Sequence, residues 1–427
     1  MLTVGIAPVQ AVRASDFLES IGVNSAISVR GESLTRTIEC AKYLGMGWFR
    51  TGYESGVTTE DQLRLHREAG VRFSYGLGSG GNDIARLLAG PRVLAQADAL
   101  VAIEGPNEPN NWAITYKGES GGGSKSWKAV AALQQDVYSA VRSDPILKTV
   151  PVWGPSEVGA MVDNVGLQFL VVPQGAGTLV PAGTRYADAV NVHNYIYHPN
   201  SPGVEDNKTW NASDPSPACR IDGLYGNHGL TWGRKYQGYS VPELEKLPKV
   251  TTETGCAIDG AITEEVHGLN LLSLYLDQFK RGWSHTAVYL LRDRVDEGGN
   301  QQYGFYKPDY SPRKAAMYLH NLTTILADRQ RFSGRPGELA YSIVHQDPTV
   351  HDLLLQRGDG NLSLVIWSEK VKGGNEVLVK FAKHIQKTVI FDPTIGTSPV
   401  HKVGWTDAIR LNLTDHPVVL TFGFGER

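Results

Sequence analysis

Over the first three hundred residues, short apolar runs alternate with amphipathic stretches that end at glycine. IGVNSAI (21–27) predicts a first strand. Ser33 follows as a helix cap, with Leu34, Ile38 and Ala41 on one face and Gly45 as the stop. MGWFR (46–50) predicts strand two, and a helix from the Thr58/Thr59 cap to Gly70 leads to VRFSY (71–75) as strand three. Asn82 is placed to cap the next helix, and ALVAIE (99–104) predicts strand four. Val130, Leu133, Val137 and Val141 then stripe a helix before VPVW (150–153). ADAVNVHNY (187–195), KVTTE (249–253) and TAVYLL (286–291) predict strands six to eight. The helix between the last two runs from near Thr263 to Gly282, and a final one opens at Ser311-Pro312 and reaches about Leu326. The crossover after strand five carries no clear helical stripe.

Eight strands alternating with helices predict a parallel sheet, and eight is the number that closes a (β/α)8 TIM barrel. A doubly wound open sheet has the same local alternation, so periodicity does not separate the two. After about residue 335 the helical stripes stop. YSIV, HDLLLQR, LSLVIWS, VLVKF, KTVIF, IRLNL and VVLTF follow, separated by turns such as Gly358-Asp359-Gly360. They predict a C-terminal antiparallel β-sandwich, and hence two domains, a barrel over 1–333 and a sandwich over 334–427.

Composition narrows the class. Forty-one basic residues face forty-four acidic ones, with no long run of either sign, which argues against a nucleic-acid partner. No apolar stretch approaches the roughly 20 residues of a membrane span. Three cysteines make no disulfide framework; Cys219 and Cys256 are the pair to consider for a single bond. Neither a zinc-type Cys/His spacing nor an H-E-x-x-H run occurs. The first residues lack the basic and apolar regions of a secretory signal. A cytoplasmic protein and a secreted one processed before Met1 both remain open.

The chemistry is concentrated where a barrel displays its active side chains, at the C-terminal ends of strands. Glu108 lies four residues beyond strand four in EGPNEPN, preceded by Asn107 and flanked by prolines. Glu253 ends strand seven in KVTTETG, 145 residues later. Strand six ends in His193-Asn194-Tyr195 and strand two in Arg50. Glu104 and Glu157 also lie near strand ends and are expected to be supporting groups.

Asn-Glu-Pro after strand four, together with a strand-seven glutamate, resembles the signature of clan A glycoside hydrolases, of the family 39 and family 5 types. The resemblance implies a retaining glycosidase with Glu108 as general acid/base and Glu253 as nucleophile. It implies that Asn107 binds the sugar 2-hydroxyl, that Arg50 supports the charge of Glu253, and that His193 and Tyr195 form the strand-six pair. Such chemistry calls for an oligo- or polysaccharide substrate and for no metal or organic cofactor. Many clan members end strand eight with a tryptophan beneath the sugar; here VYLLRD offers Tyr289 or Arg292 instead. Aromatic faces suit the apolar faces of sugars. The segment 111–126 with Trp112 is expected to form a flap, and the long loop 196–246 supplies Tyr197, Trp210, Tyr225, Trp232, Tyr236 and Tyr239, with Trp112 and Trp232 taken as binding residues.

Two other functions compete. Gly76-Leu77-Gly78-Ser79-Gly80-Gly81 follows a strand and precedes a helix, with Glu104 on the next strand, which is the spacing of a dinucleotide fingerprint and of an NAD-type oxidoreductase. That motif stands third in the series and leaves NEP and TETG without a purpose. A catalytically inactive carbohydrate-binding barrel is the other alternative, and the presence of both carboxylates weighs against it.

Overall fold

The computed structural model describes residues 6–157, 165–196, 206–217, 219, 230–327 and 334–423. Eight parallel strands form one sheet: β1 (Ile21–Asn24), β2 (Trp48–Thr51), β3 (Arg72–Leu77), β4 (Leu100–Pro106), β5 (Val152–Trp153), β6 (Val190–Asn191), β7 (Lys249–Thr254) and β8 (Trp283–Val288). Each neighbours the next in sequence, and β8 pairs with β1. A parallel bridge from Trp153 to Ala189 joins β5 to β6 and closes the ring. The open-sheet alternative is thereby excluded, and the fold is a (β/α)8 barrel.

The alternation along the strands explains the barrel's interior. Ile21 and Val23 point outward to the helices, while Gly22 and Asn24 point in. Trp48 fills the floor with Trp153, their rings 5.6 Å apart and edge-on, among Ala102, Ala189, Val250 and Ala287. A β-carbon on Gly22 would sit 2.2 Å from the Trp48 ring, so the bulk of one residue dictates the smallness of the other. One register step nearer the C-terminal face the interior turns polar, with Asn24, Arg50, Ser74, Glu104, Asn191 and Thr252 all buried.

Some expected caps form and others do not: the Ser33 side chain makes no cap bond, and the last helix begins at Lys314 after Arg313 rather than at Ser311-Pro312. Leu34–Leu44 ends at Gly45 with φ 68°, and Thr59–Ala69 starts where the Thr58 hydroxyl accepts from the Asp61 N–H. Helix Ile84–Gln96 is capped by Asp83 rather than Asn82, whose amide instead reaches the Thr115 carbonyl. Among the described residues of 154–189 there is no helix, which accounts for the missing stripe. No helix of the described residues is long and apolar enough to cross a membrane.

The sandwich stacks two sheets on a core of Leu354, Leu364, Ile366, Val379 and Leu420. One sheet holds Glu338–Val344, Asn375–Ile385 and Thr406–Leu413; the other holds Val350–Gln356, Leu362–Ser368, Thr388–Phe391, His401–Val403 and Pro417–Phe422. The chain's beginning joins both. Pro8–Gln10 pairs antiparallel with Glu338–Val344, and Val12–Arg13 pairs in parallel with Val350–Gln356. Helical periodicity has no means of signalling this, because strands of two or three residues carry no readable alternation.

Barrel and sandwich meet around buried polar groups. Asp277, on helix Glu264–Lys280, accepts from the Trp367 indole at 2.9 Å, and Glu369 caps the short helix Lys208–Ala212 by accepting from the N–H groups of Thr209 and Trp210. The Cys219–Cys256 bond is not formed. Each thiol is buried in its own environment, Cys219 against the Asn211 carbonyl and Cys256 beside Asn270.

Candidate active site

At the C-terminal face of the barrel a cleft of about 670 Å3 is lined by Asn107, Glu108, Trp112, Tyr195, Glu253 and Tyr289, with Tyr53, Ser79 and Tyr303 beside them. Six of the ten positions singled out in the sequence thus converge on one cavity. Arg50 and His193 lie directly beneath it.

Glu108 is held by its backbone. Its φ of 39° is a left-handed conformation unusual for a residue with a β-carbon. The Ser156 hydroxyl accepts from its N–H, and its carbonyl accepts from the N–H groups of Asn111 and Trp112 at 2.8 and 2.9 Å. This turn aims the carboxyl group at the cleft, where Oε2 accepts from the Asn111 amide at 2.9 Å and Oε1 meets His193 Nδ1 at 2.7 Å. Burial pushes the Glu108 carboxyl above the usual carboxylate range, against smaller opposing effects of Asn111 and Arg50.

His193 belongs to a relay. Burial lowers its pKa to about 4, so the ring is neutral near pH 7 and carries one proton. Its Nε2 lies 3.1 Å from the Thr252 hydroxyl, which in turn contacts Asn191 Oδ1 at 3.1 Å. If the Thr252 proton serves Asn191, His193 Nε2 is the donor to Thr252. Nδ1 then accepts, and the proton between His193 and Glu108 resides on Glu108.

Glu253 stands in opposite surroundings. Arg50 Nη1 donates to its Oε1 at 2.5 Å and the Tyr195 hydroxyl donates to its Oε2 at 2.8 Å. Arg50 is fully enclosed and spends its other nitrogens on Glu104 Oε2 (3.0 Å) and Asn107 Oδ1 (2.7 Å), while its plane lies 4.7 Å over the Tyr53 ring. With Oδ1 taken by Arg50, the Asn107 amide nitrogen donates one proton to the Ser79 hydroxyl at 3.1 Å and has a second proton to donate. Acceptor-type atoms of Glu108, His193 and Glu253 all lie within 4.8 Å of one another. A cation could also be held at that spacing, although Arg50 and Tyr195 already supply Glu253 with positive charge and a proton donor.

Two expected binding residues lie elsewhere. β8 ends at Val288, three residues before the predicted limit, so Arg292 has already left the rim. Its Nε donates to the Pro308 carbonyl at 2.7 Å and its plane covers the Tyr310 ring. Trp232 is buried on the outside of the barrel, stacked on Tyr236 and edge-on to Trp283, because its short helix turns an apolar face to Val190 and Val192. Trp210 stacks on His351 at the sandwich junction, and Tyr239 packs on Phe169. Tyr197 and Tyr225 lie outside the described residues. The 111–126 segment does carry a hairpin, Ile114–Tyr116 with Glu119–Gly121, and leaves Trp112 half exposed over the cleft.

The glycine-rich loop has a different use from the fingerprint. Gly78 and Ser79 line the cleft, and Glu104 is buried in the barrel, accepting from Arg50 and Ser74. No open crevice at a strand-order switch exists for a dinucleotide, because the sheet is a closed barrel.

A charged wall on the β1, β2 and β8 side was not anticipated. Arg30 pairs with Glu54 (3.2 Å), Asp296 (2.7 Å) and Glu297 (2.7 Å), and Arg294 pairs with Glu54 (2.5 Å) and Glu297 (2.9 Å). The Tyr289 hydroxyl donates to Glu297 at 3.2 Å. Burial is the main cause that lifts the Glu54 pKa to about 7, with Arg30 opposing it. The signal in the sequence was the dense charge of RDRVDE directly after strand eight.

No protein-family model and no curated protein sequence matches the chain. Solved structures do match. A family 39 glycoside hydrolase from the gut symbiont Bacteroides cellulosilyticus WH2 aligns over 96% of this chain and 82% of its own, with TM-score 0.57 and 15% identity. The chain has the fold of glycoside hydrolases. An α-L-arabinofuranosidase from Thermotoga maritima aligns over 98% of both chains with TM-score 0.58 and 9% identity. A bifunctional glucanase-xylanase from a metagenome library aligns over 97% of this chain and 96% of its own, with TM-score 0.57 and 11% identity. In all three the match spans barrel and sandwich together.

Proposed function

We propose that the protein is a retaining glycoside hydrolase acting on an oligo- or polysaccharide, with Glu253 as nucleophile and Glu108 as general acid/base. The observation that carries this reading is that one carboxylate oxygen of Glu108 and one of Glu253 lie within 4.8 Å of each other across the cleft. Retaining enzymes hold the pair about 5–5.5 Å apart, whereas inverting ones need about 6.5–9.5 Å to admit a water. The two environments differ as the roles require. Glu253 receives an arginine and a phenol, which suits an ionised nucleophile; Glu108 is buried beside a neutral imidazole, which suits an acid.

In the first step a Glu253 oxygen attacks the anomeric carbon, the glycosidic C–O bond breaks, and the Glu108 proton passes to the leaving oxygen. The product is a glycosyl ester of Glu253. In the second step the Glu108 carboxylate takes a proton from water, whose oxygen attacks the same carbon and releases Glu253. In this reading the Asn107 amide donates to the sugar 2-hydroxyl and the Tyr289 ring lies beneath the sugar, both residues lining the cleft.

The test is turnover on a panel of aryl glycosides and polysaccharides, followed by NMR of the first product. Retained anomeric configuration is expected. Inversion would remove the double-displacement assignment, and turnover by Glu253→Ala equal to wild type would remove the nucleophile.

A further inference from the structure

The cleft lining contains two guanidinium groups, Arg30 and Arg294, and four carboxyl groups, Glu54, Glu108, Glu253 and Glu297. An arginine facing a sugar site ordinarily reads as a receptor for a carboxylate or sulfate, because its fork matches those anions. Here both guanidinium groups are ion-paired with the protein's own acids, and the Arg294 Nε and Nη2 atoms that make no hydrogen bond are buried away from the cleft. Arg294 gives one terminal nitrogen to Glu54 and the other to Glu297, and Arg30 gives its three nitrogens to Glu54, Asp296 and Glu297. Arg50 beneath the cleft is equally committed, to Glu104, Glu253 and Asn107.

We infer that the Arg30–Glu54–Arg294–Glu297 network selects an uncharged sugar in the cleft, and that Glu54 and Glu297 set this selectivity by occupying both arginines. The inference rests on the glycosidase reading above. An anionic sugar could bind these arginines only by displacing a carboxylate already paired with them. The displaced group would then face like charge in a site where Arg294 is almost fully enclosed. Even with Glu54 protonated, Asp296 and Glu297 still match the Arg30 and Arg294 charges one for one, while Glu253 is paired with Arg50. A neutral sugar needs no such exchange. Its hydroxyls can donate to the Glu54 oxygen that neither arginine uses, with the network intact, so recognition and rejection use the same group.

Two measurements test this. One is kcat/KM on nitrophenyl glycoside pairs that differ only in a hydroxymethyl group against a carboxylate, glucoside with glucuronide and galactoside with galacturonide. The other is electrophoretic retardation in gels containing neutral polysaccharides (arabinan, xylan, galactan, β-glucan) or anionic ones (polygalacturonate, alginate), which reads binding without turnover. Wild type is expected to favour the neutral member of a pair and to be retarded only in neutral gels. Glu297→Gln and Glu54→Gln, checked for an unchanged melting temperature, should lower the neutral-to-anionic preference by about tenfold or more. A role confined to stability would move the melting temperature and leave that ratio unchanged, which would overturn the inference. So would wild-type preference for the uronides or retardation in anionic gels, while Glu253-dependent turnover would keep the hydrolase reading intact. Absence of both turnover and retardation across all probes would sink the hydrolase reading, and the selectivity with it.

Discussion

His193 Nδ1 stands 2.7 Å from Glu108 Oε1 and 3.6 Å from Glu253 Oε2, so one neutral imidazole touches both carboxyl groups of the site. Its ring is fully buried against Glu108 and so contributes to the burial of that carboxyl group. In the proposed mechanism the acid form of Glu108 is the active one, and burial holds its pKa above the ordinary carboxylate value. The alkaline limb of kcat/KM should therefore fall as pH rises through that raised pKa. His193→Ala admits water beside Glu108 and should move the limb to lower pH. Glu108→Ala should abolish it while keeping activity on aryl glycosides whose leaving groups need no proton. A limb unchanged in both variants would show that Glu108 does not titrate in catalysis.

Glu253→Ala should lower turnover by roughly 10^4-fold or more, as loss of a covalent nucleophile does. Added azide fills the vacated space and should restore turnover, yielding a glycosyl azide of inverted configuration. Identification of that product by NMR checks the assignment, and rescue without an azide adduct would count against it.

Arg50 binds two carboxylates and an amide while enclosed on all sides. Arg50→Met keeps the length and removes the charge, leaving Glu104 and Glu253 uncompensated. The expected cost is about 3–5 kcal/mol of stability, read as a lowered melting temperature, together with loss of turnover. A variant of unchanged stability would mean that the pair of acids is neutralised some other way.

The two tryptophans once grouped together should separate. Trp112→Ala should raise KM for polysaccharides while leaving the melting temperature within a degree or two, since its ring is half exposed. Trp232→Ala empties a packed cluster and should cost about 3–5 kcal/mol of stability. Calorimetry beside steady-state kinetics distinguishes the outcomes; the reverse pattern would relocate the binding surface.

The barrel was legible because several crossovers repeat one physical pattern, an apolar run followed by a striped helix, two of them stopped at Gly45 and Gly70. Glu108 and Glu253 were legible because chemistry confines such groups to strand ends. Arg292 was misplaced for a specific reason. Leu290 and Leu291 extend the apolar run of strand eight, but they are buried by the turn that follows it, where the Leu291 N–H donates to the Asn24 carbonyl. Trp232 was misplaced because an aromatic that packs and one that binds sugar look alike in a loop. The network of Arg30, Glu54, Arg294 and Glu297 joins three loops far apart in sequence, and no local pattern relates them.

The pairing of residues 8–13 with the sandwich orders the protein's synthesis. These strands leave the ribosome some three hundred residues before their partners at 338–344 and 350–356 exist. Until then the nascent barrel carries an unmatched leading segment directly joined, through helix Ala14–Ser20, to the strand that bears Asn24. Strands 338–344 and 350–356 therefore fasten residues 8–13, which stay unpaired until the sandwich has been made.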